Sequence, residues 1–131
     1  MSKWTKKDIK ILKQAIDSFW LYNRPLSDSH RERQAALEAV KEHLAVHRVE
    51  IICDHIAQLA GLYRERAQKN QEAADHFAAH PEINGKSTPE MIERFSRFAA
   101  EELKGVKAAQ ILISKIQTLG LPPEVLSYEP R

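Results

Sequence analysis

Four side chains near the middle of this sequence, His43, His47, Glu50 and Asp54, recur at intervals of four, three and four residues. On a helix that spacing forms one strip and sets the two imidazoles about one turn apart. A single divalent cation could reach both rings, with a carboxylate as third ligand. Glu72, His76 and His80 repeat the spacing further along. Helical bundles that hold two metals characteristically use Glu-x-x-His pairs, and the sequence contains none. The preferred reading is therefore solvated or interface histidines and no cofactor, with a metal-binding bundle as the second alternative.

Two other groups of residues could carry chemistry. His55 falls in an apolar stripe between Ile51 and Leu59, where an imidazole must find a hydrogen-bond partner or stay neutral. A core or interface histidine is expected there, and a pH-responsive interface is its functional counterpart. Lys3, Lys6, Lys7, Lys10 and Lys13 could follow a phosphate backbone, helped by Arg24, Arg31 and Arg33. This makes a small nucleic-acid-associated regulator the first alternative. The net charge of +2 argues against a protein that coats a polyanion. There is no Gly-rich phosphate loop, Gly-x-Ser-x-Gly elbow or Cys-x-x-Cys to indicate an enzyme.

The elements that must position these groups are helices. With 43% hydrophobic residues, 29% charged residues and only four glycines, the chain is too apolar for disorder and poor in turn residues for an all-β fold. Thr5 and Asp8 form a capping box with a shorter acid, and Pro25 ends the first helix, expected over about residues 5–23. From His30 to Lys69 there is no proline and one glycine, Gly61, so a long helix is expected over about 29–80, with a bend allowed near residue 70. Its apolar pattern weakens after Arg64. His80 to Ser87 reads as a loop, and Thr88-Pro89-Glu90 then opens a helix over about 89–119 that stops at Gly120. The tail, residues 120–131, has Val125, Leu126 and Tyr128 as anchors onto the chain's own bundle.

Matching these lengths gives the expected architecture: a single all-α domain over 1–131, an antiparallel helical bundle built on one long central helix. The shorter N-terminal and C-terminal helices fold back on it, with Val106 to Leu119 against residues 49–62. Gly105 would allow close helix approach. Because the middle of the long helix is apolar on two flanks, a partner chain is expected over Val49, Ile51, Ile52, His55, Ile56, Leu59, Leu62 and Tyr63. The function expected is a non-enzymatic helical interaction or adaptor module, homodimeric, that also binds a further protein. Cys53 is alone, so no intrachain disulfide can form, and a reducing, cytoplasmic setting is expected. No apolar run approaches a membrane span, and no membrane partner is expected.

Overall fold

The computed structural model describes residues 4–26, 28–80 and 88–130. Lys3 and most of the expected loop, residues 81–87, lie outside the described residues. Among the described residues four helices make up the fold: α1 (Lys6–Asn23), α2 (His30–Ala79), α3 (Thr88–Leu119) and α4 (Pro123–Leu126). The chain is an all-α antiparallel bundle in which the long α2 packs against the others, and no strand occurs among the described residues.

Local chemistry sets the helix ends. Thr5 caps α1: its Oγ1 accepts from the Asp8 N–H at 3.0 Å, and the Asp8 carboxylate accepts from the Thr5 N–H at 3.3 Å. Each bond satisfies a donor that the first turn would otherwise leave open. Gly120 ends α3 with φ of 74°, a conformation that costs glycine little, and its N–H donates to the Ile116 carbonyl at 2.8 Å.

The long helix is interrupted where the sequence carries no breaker. His47 has φ −115° and ψ 26°, so α2 consists of two helical arms meeting at that residue. The break is at His47 and not near residue 70. The adjoining side chain, Arg48, is held from outside the helix by main-chain carbonyls of the tail, a contact the local sequence does not reveal.

The chain forms two compact units, Met1–Ile56 with Leu112–Arg131, and Ala57–Ile111. Their interiors differ in kind. The first buries Leu12, Ala15 and Ile16 of α1, Leu44, Ile52 and Ile56 of α2, Leu112 and Ile116 of α3, and Leu121 and Val125 of the tail. Each fully buried aliphatic of this size contributes about 1.5–3 kcal/mol, so three helices and the tail close a core of ordinary composition.

The second unit is a hairpin of two helical segments. Its buried hydrophobic residues are Ala60, Ala67 and Ala74 on α2, and Ala99, Val106 and Ala109 on α3. The α2 alanines recur every seven residues, the repeat of a two-helix seam. Tyr63 lies over Gly105, where a Cβ would come within 3.1 Å of the ring, and Phe77 stacks on Phe95 at 5.6 Å. These pairs run in opposite directions along the two helices, which makes them antiparallel. Tyr63 opposite Gly105 also continues the register expected from helix length. Gly61 has open space where a Cβ would sit. Gly61→Ala is expected to raise stability by about 0.5–1 kcal/mol through helix propensity alone, which urea unfolding would measure.

Candidate functional site

Three features of the structure could serve function, and each is built by a different part of the sequence. The histidine strip comes first. His43 stacks on Phe19 at 5.8 Å, and the His43 and His47 rings lie 4.7 Å apart, tilted. His47 Nδ1 donates to the Glu50 carboxylate at 3.1 Å. Asp54 is exposed. The break at His47 interrupts the regular helical strip, and among the described residues no three His, Cys, Asp or Glu side chains converge where a metal ion could sit. His76 and His80 also lie ring to ring, at 4.8 Å, with His76 against the edge of Phe77.

The second feature, a clasp on the tail, joins α1 to the break in α2. Arg48 Nη1 donates to the Val125 carbonyl at 3.0 Å and to the Tyr128 carbonyl at 2.7 Å. Burial lowers the pKa of this guanidinium and Glu129 raises it in part, but an arginine so placed remains charged. The Tyr128 hydroxyl donates to Asp17 at 2.8 Å, and the Lys13 ammonium lies 5.2 Å from the centre of the Tyr128 ring. Val125 is wholly buried, and Leu121 and Pro122 are buried beside it. Lys13, read from the sequence as part of a basic face, is thus engaged in holding the tail. Lys6, Lys7 and Lys10 remain exposed on α1.

A second tie fixes the start of α1. Lys115 donates to Asp8 Oδ2 at 2.6 Å and lies 5.2 Å from the centre of the Trp4 ring. Burial pushes the Asp8 carboxyl up, but hydrogen bonds from Lys115 and Thr5, with the charge of Lys115, outweigh it and hold the group below its ordinary value. His55 is half-buried, and burial lowers its pKa below the ordinary 6.5. Burial, with help from Asp54, raises the Cys53 thiol, which disfavours the reactive thiolate.

These shifts give the protein a definite acid response. As pH falls through about 6.5, the unfolded chain protonates at His55 before the folded chain does, so stability declines. Asp8 adds to the loss further down: its contribution is intact above the ordinary carboxylate value of 3.8 and disappears as pH falls through its lower folded value. Urea midpoints are expected to drop from pH 7.5 to pH 5, and His55→Gln should flatten that part of the profile. A His55→Gln profile as steep as the parent's would show that another group governs this range.

The third feature is one face of the 57–111 hairpin. At about 100° per residue, Leu59, Leu62, Ala73 and Phe77 share one flank of the Ala60, Ala67, Ala74 seam. On α3, Phe98 and Gly105 flank the Ala99, Val106, Ala109 seam. The contacts of Phe95 with Phe77 and Phe98, and of Tyr63 with Gly105, put these flanks on the same side. Leu62 is 48% exposed and Phe98 43%.

Of the residues expected at a partner interface, Ile52 and Ile56 are fully buried in the chain itself. Ile51, His55, Leu59 and Tyr63 are half-buried, and Val49 and Leu62 are exposed. Phe98 was not among the residues expected at the interface, and it is exposed beside the α3 seam. The clasp was missed because Arg48 and its acceptors are 77 and 80 positions apart.

No family model, curated protein or solved structure matches this chain. Among the described residues no helix is long and apolar enough to cross a membrane. The class defined by fold and surface is an all-α helical bundle.

Proposed function

We propose that this chain is a non-enzymatic helical interaction module that dimerises through the 57–111 hairpin and offers the paired helices to a further protein. The observation that carries this reading is the mismatch inside the hairpin. Among the described residues its buried side chains are alanines, one valine and the polar Thr88, while Leu62 and Phe98, on one face, remain exposed. An alanine stripe brings two helices close but removes little apolar surface from water. A two-helix hairpin with so small an interior gains most by covering its larger side chains, and a four-helix arrangement of two hairpins does that. The lone, half-buried Cys53 fits a reducing compartment such as the cytoplasm.

The test changes the face and leaves the seam intact. Leu62→Asp combined with Phe98→Asp places two charges where an aromatic and an aliphatic side chain would be covered. Self-association is expected to weaken by tenfold or more, since central interface residues each contribute about 1–2 kcal/mol or above. Both positions are exposed in the single chain, so circular dichroism should show unchanged helix. Unaltered self-association in a folded double variant would remove this face from the account.

A further inference from the structure

We infer that, in the pairing of two hairpins, each copy's α2 lies along its partner's α3, so that the face recognises a second copy in one orientation. The inference rests on the proposed pairing and adds to it the placement of the partner. Tyr63 over Gly105 and Phe77 on Phe95 fix which parts of the two helices are level. Leu62 adjoins Tyr63 and so stands level with Gly105. Between the two contacts, Ala73 stands level with Phe98, and Arg66 and Lys69 stand level with Glu102 and Glu101. At about 100° per residue, Arg66 falls on the flank of α2 that carries Leu59 and Ala73, and Lys69 falls beside Leu62. On α3, Glu101 and Glu102 fall to either side of Phe98. The middle of the face is therefore basic along α2 and acidic along α3, with Arg94 of α3 lying nearer the Thr88 end.

A twofold axis makes each contact occur twice, since the same patch is used by both copies. With the axis parallel to the helices, levels are preserved and α2 faces the partner's α3. Leu62 then comes over the partner's Gly105, and Phe98 over the partner's Ala73. Arg66 and Lys69 meet the partner's Glu102 and the partner's Glu101. Large side chains thus sit on small ones, and a basic pair sits on an acidic pair. With the axis across the helices, α2 faces the partner's α2, and the contacts become basic on basic, which weakens binding. Charge complementarity therefore selects both the occupant of the face and its direction. Within one chain these charges are not committed across the hairpin. Lys69 pairs along its own helix with Glu65 at 3.3 Å, and Glu101 with Lys104 at 3.5 Å, both largely exposed. Among the described residues neither Arg66 nor Glu102 has an ion pair.

Charge reversal in the full-length chain tests the arrangement. Arg66→Glu with Lys69→Glu makes α2 acidic on this face, and Glu101→Lys with Glu102→Lys makes α3 basic. Each variant alone should self-associate about tenfold more weakly than the parent, or worse, because like charges then face each other. An equimolar mixture of the two should recover the parent's association, since every facing pair is again opposite in sign. Circular dichroism reports whether each variant keeps its helix, and crosslinking gives a second reading that does not depend on reversed charge. On a Cys53→Ser background, the Lys69→Cys chain mixed with the Glu101→Cys chain should be joined by a short bismaleimide far faster than either chain is joined to itself. Two results would overturn the arrangement while leaving the pairing in place. One is a dimeric parent whose folded reversal variants each associate as tightly as it does, and the other is a Lys69→Cys chain that crosslinks mainly to itself. A parent mass of one chain by light scattering would remove the pairing and the arrangement together.

Discussion

Ile56→Asp is expected to unfold the unit that contains it, at a cost above about 4 kcal/mol. Ile56 is 1% exposed and shares its core with Ile16, Ile52 and Ile116. The substitution combines loss of a buried aliphatic with an unpaired carboxylate in an apolar interior. From the sequence, this residue belonged to a seam between chains, and the same change would then have separated dimers of folded protein. Because the side chain is enclosed within its own chain, the expected readout is loss of helix at any concentration. Folded, helical Ile56→Asp monomer at 25 °C would contradict the buried position.

The second large effect is at Arg48. Arg48→Met keeps much of the aliphatic stem but removes both hydrogen bonds to the tail. Bonds from a charged donor contribute about 1.5–3 kcal/mol, and the two carbonyls lose their partner in a part-buried setting. Tail docking is expected to weaken by about 3 kcal/mol, roughly a hundredfold fall in protection of the Val125 and Leu126 amides. The α2 break should relax as well, because Arg48 adjoins it. A loss confined to less than threefold would mean that Val125 and Tyr128 hold the tail by themselves.

Much of the fold is legible in the sequence because its signals are local. Thr5 with Asp8, Pro25, Thr88-Pro89 and Gly120 each act within one turn of the helix end they define. The break at His47 has no such signal. Neither proline nor glycine is near it, and the adjoining Arg48 is tied to carbonyls 77 and 80 positions away from itself. Asp8 with Lys115, 107 positions apart, is equally invisible locally.

The alanine seam was hidden for a different reason. Ala60, Ala67 and Ala74 repeat every seven residues, but alanine carries little hydrophobic weight, so the stretch after Arg64 reads as a fading stripe. In the structure that stretch carries the seam itself, with Phe77 half-buried beside it against Phe95. For the histidines, spacing alone placed His43, His47 and Glu50 together. It could not show that a break in the helix would fall on the middle of the three.

Pairing of two hairpins is the claim on which the functional account depends. Light scattering on the unmodified protein at about 50 µM, a concentration at which a micromolar dimer is mostly formed, tests it most directly. The account predicts a mass of twice the 15.0 kDa chain, falling toward one chain on dilution. A mass of one chain throughout that range would contradict it.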